Sequence, residues 1–348
     1  MSVALSPALA PRVALSGAAS PLGERVVRRL GETGAHVELL DLDELTVGGR
    51  LGEMDAVDVI VDLGSSDYDS RAAQRESTTW FTAATLAAAD ATHAHHVVFV
   101  SSAMVYGASS NNAVPLTEEA VLRPDVEFVF ARQLASAEEL VEQWRLARAD
   151  RSTTVLRPAI AVASDGSSRL ATAYVSGLGR RLAEDDPPSQ FLHLDDLAAA
   201  IATAVERRLD GVFNVAPDGW VQGERVRALS GERPRLPLPD RAAEWVSRLR
   251  WRFQRGPIPP GLRSYTRHPW TVANDKLRAE GWAPTVSNEQ AYVEGTEAKW
   301  WTMVTPKRRQ EIALGGMIGA ITAGVVVAGL TGRWWWRRRV ARRSPSRL

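Results

Sequence analysis

Through the first half of the chain, short apolar runs alternate with longer segments whose apolar positions recur at helical spacing. Residues 13–16 read as a strand ending in a small-residue turn, and a helix follows through 24–30. Residues 36–40 read as a second strand, ending at Asp41. Residues 58–63 are a nearly unbroken apolar run, as expected of a strand buried on both faces. A helix is predicted over 78–91 and another buried strand over 96–101. Leu134, Ala137, Val141 and Trp144 then recur at helical spacing over 132–149. Residues 153–156 are strand-like and stop at Arg157-Pro158. Strands alternating with helices predict an α/β fold, a doubly wound parallel sheet with helices on both faces.

Beyond about residue 165 the pattern breaks into turn-rich pieces. Residues 185–190 and 231–240 are rich in proline and polar residues and predict loops, and 256–261 (GPIPPG) is a further break. No internal repeat is visible. Residues 312–330 form a charge-free stretch of 19 residues, IALGGMIGAITAGVVVAGL, long enough to cross a bilayer. Trp334, Trp335 and Trp336 follow it, then an arginine-rich tail, the flanks expected at a membrane interface. The alternative is a buried, glycine-rich core helix. Gly315 and Gly319 form GxxxG and Gly324 extends the small face, a pattern that suits helix pairing.

The 348 residues are 45% hydrophobic and 24% charged, which fits a globular protein and excludes general disorder. A net charge of +1 gives no electrostatic case for nucleic acid as a partner. The near-neutral total hides an asymmetry: from Arg333 onward there are seven arginines and no acid. There is no cysteine, so disulfides, thiolate metal sites and cysteine nucleophiles are excluded. The opening MSVALSPALAPRVALSG has no basic region before its apolar residues and does not read as a signal peptide. The expectation is a protein of the cell membrane with its main domain on the cytoplasmic side. A single crossing would export the arginine tail, against the positive-inside tendency, and Lys307, Arg308 and Arg309 only partly balance it. An interfacial or re-entrant helix would keep both ends inside.

Four stretches carry a family resemblance. VALSGAASPLGERVV resembles a TGxxGxxG phosphate loop, VVFVSSAMVYG a strand followed by SSxxVYG, and TVLRPAIAV the strand after a catalytic helix. FLHLDDLAAAIATAVE, followed by GVFNVAPDG, resembles FVHVDDLA…GxYNV, and a weaker match, DKLRAEGWAPTVSNEQA, looks like a last substrate-lobe helix. In this order and at this spacing, over roughly residues 12–295, they resemble the extended short-chain dehydrogenase/reductase family, the NAD-dependent epimerase/dehydratase group. A lone glycine motif would be weak support, and four ordered motifs are strong. The resemblance implies a Rossmann-type sheet over 10–230 with part of the substrate lobe inserted at about 164–190. It is followed by a smaller C-terminal substrate lobe over 231–300, a linker over 301–311, one transmembrane or interfacial helix over 312–332 and the arginine-rich tail over 333–348.

The resemblance also implies a dinucleotide site. The loop from Ser16 to Gly23 belongs at a helix N-terminus, where unpaired N–H groups and the helix dipole favour a pyrophosphate. Gly17 permits the tight turn and Gly23 lets the helix pack on the sheet, with Ala18 and Leu22 beside them. Ser20 stands at the middle glycine position, where its side chain is expected to crowd the phosphates. A plain strand–helix turn that binds nothing is the alternative. Asp41 is placed to accept from an adenosine ribose, favouring NAD over NADP, and Asp43 competes for that role. Leu63, Gly64, Ser101 and Pro158 complete the expected cofactor contacts, with Gly64-Ser65-Ser66 replacing the family's small apolar pair.

The catalytic positions depart further. In the family a Ser or Thr, a Tyr and a Lys four residues after it exchange the proton, the lysine lowering the tyrosine's pKa. Ser102 matches the serine, but FVFARQLASAEELV puts Phe130 at the tyrosine and Leu134 at the lysine. Sliding by two gives Phe128 and Arg132, still without a tyrosine. Tyr106 belongs to the VYG turn, and Tyr174 is expected to line the substrate lobe. His93, His95 and His96 form HAHH without a partner cluster, so no metal is expected. His193 is expected to be a structural hydrogen-bonding residue, and Asp195 and Asp196 to cap the following helix. Trp144 and Trp245 fit helix core faces, Trp300 and Trp301 precede the membrane segment, and Trp270 and Trp282 are expected in the core.

Two functions survive. One is a membrane-associated NAD-dependent epimerase, dehydratase or reductase with altered or lost catalysis, acting on a nucleotide sugar or lipid-linked molecule. The other is a catalytically silent scaffold or nucleotide-sensing module recruiting a partner at the membrane. Paired helices would make a homodimer in this family.

Overall fold

Val13, Ala14 and Leu15 have no exposed surface, and a run of apolar residues buried on both faces requires a layer above and below the sheet. The computed structural model describes residues 10–40, 56–64, 77–162, 168–178, 186–229 and 261–295, all within one compact unit. Strands β1 (Arg12–Ser16), β2 (His36–Leu40), β3 (Val59–Asp62), β4 (His96–Val100), β5 (Ser152–Pro158) and β8 (Gly211–Val215) form a sheet in the order β2-β1-β3-β4-β5-β8. Every pairing in it is parallel.

The chain leaves β1 towards β2 and returns to build β3, β4 and β5 in the opposite direction. Right-handed crossovers in opposite directions place helices on opposite faces. Helix α1 (Pro21–Glu32) therefore lies on one face, where it packs on α5 (Leu194–Arg207), and α2 (Ser77–Ala91) lies on the other with α3 (Val129–Leu146). Between β5 and β8 the chain forms a parallel pair, β6 (Ile160–Val162) and β7 (Phe191–His193), and helix α4 (Arg169–Gly177). After β8 come α6 (Gly223–Leu229), α7 (Leu262–Tyr265), α8 (Asp275–Ala279) and α9 (Asn288–Glu294).

The doubly wound parallel sheet and the first strands stand as the sequence predicts. Two helices begin earlier than their apolar periodicity suggests. Helix α1 starts at Pro21 because Ser20 caps it and proline suits a first helical position, and α3 starts at Val129. The expected caps of α5 need correction. His193 is its N-cap, with Nδ1 accepting from the Asp195 N–H at 3.2 Å. The Asp195 carboxylate instead accepts from Arg25 and Arg28 on α1. Asp196, buried, accepts from the Thr285 N–H and hydroxyl and the Val286 N–H, tying the C-terminal segment to α5.

Among the described residues no helix is long and apolar enough to cross a membrane. The stretch 312–330, its tryptophan and arginine flanks, the loops expected over 231–240 and 256–260, and Trp245, Trp300 and Trp301 lie outside the described residues.

Candidate nucleotide site and its neighbourhood

The carboxyl ends of four strands lie side by side, with Ser16 in register with Asp62, Asp62 with Phe99, and Val100 with Leu156. Gly17 turns the chain out of β1 at φ +75°, and a Cβ there would lie 3.3 Å from Leu63 Cβ and 3.4 Å from the Gly64 carbonyl. Gly23 is constrained more severely, since a Cβ on it would lie 2.4 Å from the Ala18 carbonyl oxygen. Helix α1 thus rests directly on the loop backbone, which only glycine permits. Gly17, Ala18, Ser20, Leu22, Gly23, Leu63 and Gly64 are gathered around one strand-to-helix turn. Asp41, Asp43, Ser65 and Ser66 lie outside the described residues.

Ser20 does not stand in the way as its size suggests. Its Oγ donates to the Gly17 carbonyl at 2.8 Å and accepts from the Gly23 N–H at 3.0 Å, so the side chain folds back into the turn as a helix cap. Asp62, which the apolar run concealed, lies beneath the loops. Its Oδ1 accepts from Ser16 Oγ at 3.0 Å and the Gly64 N–H at 2.8 Å, joining the turn after β1 to the turn after β3. The buried hydroxyls of Thr82 and Thr85 on α2 face this carboxyl, though among the described residues neither they nor its Oδ2 make a hydrogen bond of full geometry. Burial pushes the Asp62 carboxyl upward in pKa, against the lowering influence of the Gly64 N–H and the Ser16, Thr85 and Thr82 hydroxyls.

Ser101 and Ser102 follow β4. Ser102 caps a 3-10 turn, Ala103–Tyr106, its Oγ accepting from the Met104 N–H at 3.2 Å. Ser101 turns away from the loop after β1 and donates to Glu138 on α3. Phe130 and Leu134 both face inward from α3 and are buried. Phe128, Phe130, Tyr265 and Trp270 form a contiguous aromatic wall, with centroid distances of 5.7 Å from Phe128 to Phe130, 5.5 Å from Phe128 to Tyr265 and 5.6 Å from Tyr265 to Trp270. A Cβ on Gly261 would lie 2.3 Å from the Phe128 nitrogen, so the C-terminal segment lies against the start of α3.

Each of the four described tyrosines is at most 2% exposed. Tyr106 accepts from Arg157 at 2.8 Å and donates to Asn214 at 2.8 Å. Burial raises the Tyr106 pKa, and it raises that of Tyr174 to about 12. Tyr174 does not line an open lobe: its hydroxyl meets Ser189 at 3.0 Å and its ring packs on Trp270. Tyr265 donates to the Met104 carbonyl. No lysine precedes Lys276 in the chain. Its ammonium donates to the Val212 carbonyl at the amino end of β8, whereas Ser102 follows the carboxyl end of β4, at the opposite end of the parallel strands. Also unanticipated is the buried pair of Glu138 and Arg157, each 7% exposed, which joins α3 to β5. Pro158 ends β5 within the same buried layer.

His96 is buried between Ser152 and Thr154, and His95 pairs with Asp150 at 3.2 Å, so the HAHH stretch is spent on packing and a surface pair. Among the described residues no three His, Cys, Asp or Glu side chains converge as a metal would require. Trp144, Trp270 and Trp282 are core residues.

A parallel sheet whose order reverses at β1 and β3, with a glycine turn and a capped helix at that point, defines a Rossmann-type nucleotide-binding fold. Residues 13–216 match the NAD dependent epimerase/dehydratase family, and the chain belongs to it. Among solved structures it resembles the UDP-glucose 4-epimerase of Thermus thermophilus, solved with NAD. There the TM-score is 0.62 and the identity 17%, over 82% of this chain and 98% of that one. The UDP-Glc/GlcNAc 4-epimerase of Campylobacter jejuni gives a TM-score of 0.60 at 16% identity, over 83% and 98% of the two chains. RMD of Pseudomonas aeruginosa, solved with NADPH, gives 0.57 at 19%, over 84% and 100%. No curated protein matches.

Proposed function

We propose that this chain is a dinucleotide-binding member of its family that has given up the family's proton-transfer chemistry and works as a nucleotide-sensing or scaffolding module at a membrane. The observation that carries the reading is the pair Phe130 and Leu134, buried on α3 where the family resemblance expects a tyrosine and a lysine. Phenylalanine has no proton to exchange and leucine cannot tune a neighbour's pKa, and losing a general acid/base costs on the order of 10²–10⁴ in rate. The hydroxyls of Tyr106, Tyr174 and Tyr265 are committed to other partners, and Lys276 is at the amino end of β8, away from the carboxyl ends where Ser102 lies. Ser102 alone remains of the three.

Gly17, Ala18 and Leu22 would hold the pyrophosphate of NAD beside the Ser20 cap, with Gly23 allowing the helix to close on it and Asp41 accepting from the ribose. In an active relative the nicotinamide supplies hydride transfer; here it would serve as the bound signal. The loop is accessible, since Gly17 and Ala19 are exposed, and Asp41 favours NAD over NADP. Membrane attachment rests on the charge-free stretch 312–330 with its tryptophans and arginines, and an interfacial or re-entrant helix would keep both the folded part and the arginine tail on the cytoplasmic side.

The test uses the full chain in nanodiscs, supplied with NAD⁺ or NADP⁺ and a panel of UDP-sugars, with product analysis and saturable NADH fluorescence as readouts. The expected result is binding without turnover, unchanged in Ser102→Ala. Turnover that Ser102→Ala abolishes would restore the enzyme reading, and flotation of the chain away from vesicles would remove the membrane assignment.

A further inference from the structure

The first turn of an α-helix normally presents N–H groups that have no partner inside the helix, and these donors make it an anion site. Helix α1 withholds two of its first three. Pro21, at the first position, has no N–H. The N–H of Gly23, at the third, is taken by Ser20 Oγ at 3.0 Å, and the same oxygen donates to the Gly17 carbonyl at 2.8 Å. The loop therefore closes on itself at the place where a pyrophosphate would dock. The Glu24 N–H is already helical, bonded to the Ser20 carbonyl at 3.0 Å. Of the first three residues this leaves the Leu22 N–H.

Charge does not compensate. Glu24 is the acidic residue of this turn and is exposed. The nearby guanidinium of Arg25 donates to the Pro21 carbonyl at 2.8 Å and to Asp195 at 2.9 Å, so it is bound within the protein.

We infer that Pro21 and Ser20 set the affinity of this loop, holding dinucleotide binding weak and quickly reversible. The inference rests on the dinucleotide-binding reading above and deepens it. A site that exchanges its ligand quickly reports the free concentration, which suits a sensing module better than a tightly held cofactor.

The experiment is a fluorescence titration of NADH into the full chain in nanodiscs, comparing wild type, Pro21→Ala, Ser20→Gly and the double variant, with adenosine as a phosphate-free probe. Restoring one charge-assisted donor is expected to tighten NADH binding about tenfold, chiefly through slower release, while adenosine binding stays unchanged. Both single changes keep the helix start, since alanine is a good helix former and glycine at an N-cap costs little. Wild type that binds NADH with variants no tighter overturns this inference and leaves the dinucleotide reading standing. An equal gain for adenosine also overturns it, because the phosphates would not be responsible. Wild type that fails to bind beside a double variant that binds supports the inference and removes the sensing function. Failure of all four to bind removes both.

Discussion

The hydroxyl of Tyr265 donates to the carbonyl oxygen of Met104 at 2.6 Å, joining residues 161 positions apart. That carbonyl also accepts from the Gly107 N–H at 3.0 Å, so the tyrosine adds a second bond to a group already paired. Tyr265→Phe should keep the aromatic wall and lose about 1–2 kcal/mol, the net worth of the bond to Met104 and of the longer one that the hydroxyl accepts from the Asp125 N–H at 3.4 Å. Urea unfolding of the two proteins would measure it, and an unchanged midpoint would show that the ring alone seats the C-terminal segment.

Gly23→Ala is expected to be far more damaging than its single added methyl suggests. The new Cβ would meet the main chain of Ala18 at 2.4 Å, and backbone cannot swing aside as a side chain can. Overpacking of this kind costs about 1–3 kcal/mol, and α1 must shift away from the loop to relieve it. A fall in melting temperature together with loss of NADH binding is the predicted pair of effects; loss of neither would mean the helix does not rest on the loop.

Glu138 and Arg157 should show strong coupling. Glu138→Leu alone leaves a guanidinium buried without its carboxylate and is expected to cost about 3–5 kcal/mol. Glu138→Leu combined with Arg157→Met, which removes both charges, should recover most of that loss. A double-mutant cycle by chemical denaturation measures the coupling, and additive losses would rule it out.

Asp62 links pH to the stability of the turns. Its folded pKa is raised by burial above the unfolded value of 3.8, so the native state holds the proton more tightly. Stability is therefore lost as pH rises from 3.8 through the folded pKa, and at neutral pH the loss persists. Asp62→Asn keeps an oxygen for Ser16 and Gly64 and carries no charge. It should raise the melting temperature at pH 7 by about 2–4 °C, with the difference shrinking towards pH 4. An Asn variant less stable at pH 7 would show that the ionised carboxylate is needed.

His96 works in the opposite direction. Burial lowers its pKa from 6.5 to about 4, so between those values the unfolded chain binds a proton that the folded one refuses. Stability contributed by this residue is complete above pH 6.5 and falls as pH drops towards 4, by roughly 3 kcal/mol in all. The difference in unfolding free energy between wild type and His96→Asn should follow that window, and a pH-independent difference would contradict it.

The order of strands and helices was legible because burial on both faces leaves continuous apolar runs, as at 58–63 and 96–101. The glycine turn was legible for a similar reason, since Gly17 and Gly23 answer to backbone geometry that sequence spacing preserves. The orientation of polar side chains was not. Ser20 could not be seen folding back on Gly23, nor Ser101 turning towards Glu138, because those choices depend on neighbours brought in by the fold. Asp62 was hidden inside an apolar run, and its partners come from β1 and the turn after β3. Pro21 and the late first lysine, by contrast, were in plain view. Their meaning depends on where the helix starts and which end of the strands Lys276 meets.

The wall of Phe128, Tyr265 and Trp270 has a consequence for synthesis. Strands β1 to β5 and helix α3 are complete by residue 158, but among the described residues Phe128 and the Met104 carbonyl gain further cover from the much later residues 261–270. Contacts separated so widely along the chain form late. A nascent or truncated chain ending before residue 261 would thus expose a sticky apolar floor, and chaperone dependence should fall sharply once the ribosome has released that segment.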